Sequence, residues 1–184
     1  MSILLVPIGD VPRDLLAEVA DFVGEVFNCP CSLAAAIPVP AAAWDARRRQ
    51  YRGPAILAAL GKLQARGVAR VLGVIDADCY APGLNFIFGQ AQINGRDAFI
   101  ALARLRQSFY GLPENEGDAS GAPLFRERVK KEAVHELGHT LGLGHCPDVK
   151  CVMHFSNSLY DTDVKEATFC VRCRARLQAR RSQS

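Results

Sequence analysis

The chain has 184 residues, a net charge of +3 and 49% hydrophobic residues, enough for one domain with a real core and too little for two full ones. That composition excludes a disordered or fibrous protein. The longest uncharged apolar stretch, Leu33 to Trp44, is broken by prolines and far too short for a membrane span, so no membrane partner is expected.

Ile3 to Ile8 reads as a buried strand, and a strand here rather than a secretion signal argues for a cytoplasmic location. Arg13 to Phe27 follows as a helix, with Leu15, Leu16, Val19, Phe22, Val23 and Val26 at helical spacing after Pro12. Cys29 and Cys31 sit in a Pro-broken turn leading to an extended stretch. Pro54 opens a second helix with Ile56, Leu60 and Leu63 on one face and Gly67 as its stop, and Arg70 to Ile75 is the next strand. The alternation of strand and helix predicts a partly parallel sheet with helical crossovers. Asn85 to Ala91 and Asp97 to Leu102 read as two more short strands joined around Asn94-Gly95, which gives that sheet an antiparallel edge. Gly111 to Pro123 is an exposed connection, and a helix over about Leu124 to Leu141 is anchored by Val134, Leu137 and Leu141. The arginines of the tail (Arg172, Arg174, Arg176, Arg180, Arg181) are expected on a solvated terminal helix, and nucleic acid is not the expected partner.

The chemistry is concentrated in HELGHTLGLGH. His135 and His139 lie four apart, so both leave one helix face and can share a zinc ion, with Glu136 within reach of a water on it. Gly142 permits a sharp turn that brings His145 round as a third ligand. Three imidazoles leave a coordination position open, the mark of a catalytic rather than a structural zinc. The reaction this predicts is peptide hydrolysis by a zinc-activated water, with Glu136 as general base and then proton donor to the leaving amine.

Seven cysteines do not make a uniform disulfide framework. Cys146, Cys151, Cys170 and Cys173 pair as C-x4-C and C-x2-C, spacings that suit a closed structural zinc; disulfides or buried free thiols are the competing readings. Two Zn2+ per chain are therefore expected, with His145 and Cys146 as neighbours in two different shells. Cys29, Cys31 and Cys79 lack metal partners and are expected as buried free thiols, with a non-essential Cys29–Cys31 disulfide as the alternative. Met153 reads as a flexible hydrophobe beneath the histidines, and His154 as a residue lining the cavity or touching substrate.

HELGHTLGLGHC followed by CVM and CVRC, together with GLNFIFGQAQINGRDAFIAL ahead of it, resembles the archaemetzincin family of metzincin zinc metallopeptidases. The resemblance implies a metzincin-like α/β fold: a mixed, mostly parallel sheet with an antiparallel edge strand, packed helices and a zinc-braced C-terminal subdomain. It makes Met153 the methionine of the Met-turn and the strand around Phe86 to Gln90 the upper rim of a cleft for a peptide or protein substrate. Some metzincins add a tyrosine ligand where this chain has Phe155. A single metalloprotease domain, 1–184, is expected, with an N-terminal subdomain over 1–142 and a C-terminal one over 143–184. The competing function is a catalytically silent, zinc-stabilised peptide-binding protein. The sequence leaves oligomeric state open.

Overall fold

The computed structural model describes residues 1–113 and 123–181. The uncharged run Ile3–Ile8 forms β1, and α1, Arg13–Phe27, crosses back so that β2, Cys31–Leu33, lies parallel beside it. Asn28 stops α1 by taking the left-handed conformation (φ 46°) that asparagine tolerates better than most residues. Two short strands follow, β3, Trp44–Asp45, and β4, Gln50–Arg52, then α2, Gly53–Gly61, and β5, Arg70–Ile75. The chain continues through β6, Cys79–Tyr80, β7, Gly89–Ala91, and β8, Asp97–Ala101, to the long helix α3, Pro123–Thr140. The C-terminal part holds α4, Leu159–Val164, and α5, Val171–Arg181.

The main sheet has the order β2-β1-β5-β8-β7, parallel throughout except that β7 runs antiparallel to β8. Both faces are buried, as a parallel sheet with helical crossovers requires. Ile3, Leu5, Leu72, Val74, Ala98 and Ile100 pack towards α1 and α3, while Val6, Ile8, Val71, Ile75, Phe99 and Ala101 pack towards α2. The mostly parallel α/β sheet with one antiparallel edge strand is thus the architecture that the sequence predicts. Among the described residues no helix is long and apolar enough to cross a membrane.

The departures are local. α2 ends at Gly61 rather than running towards Gly67, and the Arg96 guanidinium donates to the carbonyls of Leu60 (3.1 Å) in its last turn and of Leu63 (3.3 Å) just beyond it. The strand expected over Asn85 to Ala91 keeps only Gly89–Ala91 in the sheet. Arg48 and Gln50 donate to the Asn85 carbonyl at 3.0 Å each, and Ile87 bonds back to Cys79, so the stretch before Gly89 is drawn towards a second sheet. That sheet, β3-β4-β6, is absent from the sequence reading because its strands are two or three residues long. The connection expected over Gly111 to Pro123 lies mostly outside the described residues; its first three are exposed. α5 is not simply solvated: Cys173 and Leu177 are buried, and its arginines hold neighbouring segments.

Candidate active site and metal clusters

α3 is buried on every side over 131–138, so the helix that carries His135 and Glu136 is fixed by packing rather than by propensity. After Thr140 the chain turns at Gly142 (φ +81°), and a Cβ there would strike the side chains of Arg180 and Asn94. The Leu143 amide bonds back to the Gly138 carbonyl at 3.1 Å, which closes the helix end and swings His145 towards the two helical histidines.

The three rings converge: the His145 ring centroid lies 5.4 Å from that of His135 and 4.9 Å from that of His139, and one ligand nitrogen from each falls within 4.8 Å of the others. His135 Nδ1 donates to the Val152 carbonyl at 2.7 Å, and His139 Nδ1 to the Leu143 carbonyl at 2.8 Å. A carbonyl only accepts, so both Nδ1 atoms carry the proton and both Nε2 atoms present a lone pair. Those two Nε2 atoms face each other at 3.1 Å. Two lone pairs at that distance repel unless a cation lies between them, and two nitrogens on a tetrahedral zinc stand ~3.3 Å apart. Burial pushes the pKa of all three imidazoles down, which keeps them in the neutral form a metal needs. The donor set therefore fits zinc.

Glu136 is 5% exposed, and desolvation, with Glu132 nearby, raises its carboxyl well above the ordinary carboxylate range, although Lys165 opposes the shift. It faces the edge strand at Gly89, where a Cβ would sit 2.6 Å from Glu136 Oε1 and 2.7 Å from the Phe99 carbonyl. A backbone without a side chain is what lets β7 lie this close to the carboxylate. Gly89→Ala should displace Glu136 or β7; the expected loss in kcat is about 10²-fold, with zinc content unchanged. Steady-state kinetics with metal analysis checks this, and an unchanged kcat would remove Gly89 from the design of the site.

Cys146, Cys151, Cys170 and Cys173 form the second cluster, with all four sulfurs within 4.8 Å of one another. The Cys146 and Cys170 sulfurs are 3.8 Å apart, far beyond a disulfide and equal to the ~3.8 Å between thiolates on a tetrahedral zinc. Burial opposes ionisation of Cys146, but the Arg172 guanidinium donating to its sulfur at 3.4 Å and its other hydrogen bonds bring the thiol down to about 7. The Cys170 amide donates to the Cys151 sulfur at 3.4 Å. These four residues fit a closed zinc shell.

Met153 is fully buried, its sulfur against Gly138 on the underside of α3. Phe155 packs at a tilt against His145, with ring centroids 5.0 Å apart, and supplies no ligand atom. His154 does not line the cleft: its Nδ1 donates to the Cys146 carbonyl at 2.9 Å, on the side of the cysteine cluster. None of the remaining cysteines forms a disulfide, and only Cys79 is buried; Cys29 and Cys31 are half-buried.

A cleft of about 270 Å³ runs between β7 and α3, bounded by Phe86, Phe88, Glu132, Glu136, Ser156 and Asn157 among others. A larger hollow, about 610 Å³ beside α5, contains no histidine or carboxylate, so size does not locate the chemistry. The sequence reading missed a polar seam that ties α3 to α4 next to this cleft. Arg128 grips Asp163 with two bonds of 2.6 and 2.7 Å, Lys131 donates to the Thr162 and Asp163 carbonyls at 3.0 and 3.1 Å, and Lys165 pairs with Glu132 at 2.9 Å. A signal was present: residues 128, 131 and 132 continue the face that carries His135 and His139.

Residues 14–179 match the profile of peptidase family M54. The archaemetzincin of Methanocaldococcus jannaschii is 42% identical over 180 residues, covering 98% of this chain and 94% of its own. The crystal structure of the Methanopyrus kandleri archaemetzincin superposes with a TM-score of 0.85 at 39% identity, over 99% of this chain and 96% of that one. A zinc-dependent peptidase from Methanocorpusculum labreanum superposes with a TM-score of 0.81 at 27% identity, over 95% and 99%. With a match across nearly the whole chain and the two clusters in place, this protein belongs to the archaemetzincin (M54) family of zinc metallopeptidases.

Proposed function

We propose that this chain hydrolyses peptide bonds at a zinc ion held by His135, His139 and His145, with Glu136 as the catalytic base, and that a second, structural zinc is held by Cys146, Cys151, Cys170 and Cys173. The observation that carries the reading is the pair of Nε2 lone pairs facing each other at 3.1 Å beside a buried carboxylate. A zinc ion in the three-histidine site supplies Lewis acidity to the scissile carbonyl and to a water. Glu136, held basic by burial, takes the proton of the attacking water and passes one to the departing amine. β7 is the outer strand of the sheet, so an extended peptide can pair with its free backbone groups across from α3. Met153 supports the histidines from below as the Met-turn residue. The reading treats 1–184 as one cytoplasmic metalloprotease domain, divided at about 142/143 into the part ending in α3 and a C-terminal part braced by the thiolates.

The test is incubation of the zinc-loaded protein with a diverse peptide library, with products identified by mass spectrometry. Cleavage that a chelator stops and added zinc restores is expected. No cleavage with both ions bound would overturn the peptidase reading in favour of a peptide binder.

A further inference from the structure

Glu132 and Lys165 are the unexplained charges of the molecule. Lys165 is 1% exposed as a residue, with none of its side chain reached by solvent, and Glu132 is 3% exposed. Long charged side chains are almost never buried this deeply without a reason, and an apolar pair of the same volume would often be as stable. Their Nζ–Oε1 contact of 2.9 Å is an ion pair without the alignment of a good hydrogen bond, and the Thr162 hydroxyl donates to the same oxygen at 3.3 Å. Glu132 lines the cleft, whereas Lys165 does not. Glu132 thus borders the cavity, and Lys165 pairs with it from outside the lining.

Glu132 stands one helical turn before Glu136, which places their Cβ atoms ~5–6 Å apart on one face. A side chain next to a bond under attack at Glu136 comes within reach of it. The Ser156 hydroxyl borders the same cleft, is buried, and has no hydrogen-bond partner among the described residues. Buried polar atoms are usually paired, so this one is left for something that enters.

We propose that Glu132 and Ser156, with Lys165 paired to the carboxylate, read the substrate side chain beside the scissile bond and select one that is uncharged and ends in a hydrogen-bond donor: glutamine, asparagine or threonine. The inference rests on the peptidase reading. A carboxylate only accepts, which favours donors over apolar isosteres. Because Lys165 already balances Glu132, a lysine or arginine from the substrate would bring an uncompensated cation next to a buried ammonium. Arg128 and Lys131 hold the Thr162–Lys165 stretch through Asp163 and backbone carbonyls, so the pair keeps its place when the cleft fills.

The experiment uses zinc-loaded protein and peptides that differ at one position, Gln against Met, Thr against Val, and Lys, placed on each side of the cleaved bond in turn. Wild type should show kcat/KM about 10-fold higher for Gln than for Met, with Lys below Gln. Ser156→Ala should narrow the ratio. The double variant Glu132→Leu/Lys165→Met, which replaces the pair by apolar groups of similar volume, should reverse it to favour Met. Dissociation constants of the same peptides are measured on Glu136→Gln, alone and combined with the double change. Cleavage with the same ranking in wild type and the double variant overturns the inference and leaves the peptidase reading standing. No cleavage, but a Gln-over-Met ranking in binding that reverses with the double change, upholds the subsite and overturns the peptidase reading. No ranking in either measurement overturns the inference.

Discussion

Glu136→Gln should lower peptide hydrolysis by about 10³-fold or more while both metals stay bound. A positioned acid–base group ordinarily contributes ~10²–10⁴ to the rate. Glutamine keeps the length and shape of the side chain, so the approach of β7 at Gly89 is undisturbed; what it lacks is a carboxylate that accepts a proton. Glu132 is the nearest carboxylate on the same helix face, and one of its oxygens is engaged by Lys165 and Thr162. Burial of Glu136 also disfavours its charged form, so the neutral amide should leave the melting temperature unchanged or raise it. Turnover rates, metal content and thermal unfolding decide the matter together: turnover within 10-fold of wild type would show that Glu136 is not the base.

Cys173→Ser has the larger structural effect. The variant should lose one of two bound metals and lose folded structure over 143–181, seen as early proteolysis there and a large fall in melting temperature. Zinc held by thiolates contributes ~10–16 kcal/mol in small zinc-dependent folds, comparable to the whole stability of a domain, ~5–15 kcal/mol. The four cysteines come from the turn after His145, the segment before Met153, and the start of α5, so one ion would tie three separate pieces of the chain together. Because Cys146 follows His145 directly, the loss should extend to the histidine cluster. Activity should therefore fall even with excess zinc. Two metals and an unchanged melting temperature would remove the structural role of the thiolates.

How much of this was legible in the sequence depends on the range of the interaction. β1, α1 and β5 were readable to the residue because long apolar runs and helical periodicity are local properties. The histidine and cysteine groups were readable because ligand spacing restricts chemistry so narrowly. What the sequence hid was set by contacts between distant segments. Strand β7 is cut short by Arg48 and Gln50, thirty-five or more residues away in the chain. Lys165 and Glu132 look like ordinary surface charges until α3 is seen to be buried on all sides. Gly89 looks like one turn former among several, and only the distance to Glu136 gives it a role.

The shortness of β7 has a consequence for the protein as a solute. An open strand edge is a template for pairing with any extended chain, including another copy of the same protein, and long flat edges invite aggregation. β7 offers three residues, ~10 Å of edge, before Ile93 and the turn at Asn94 at one end and the departure towards Cys79 at the other. An edge of that length can hold a few residues of a strand that side-chain contacts also retain, and is too short to hold one by backbone bonds alone. The molecule can keep an edge open for peptides without exposing a surface on which its own strands would stack.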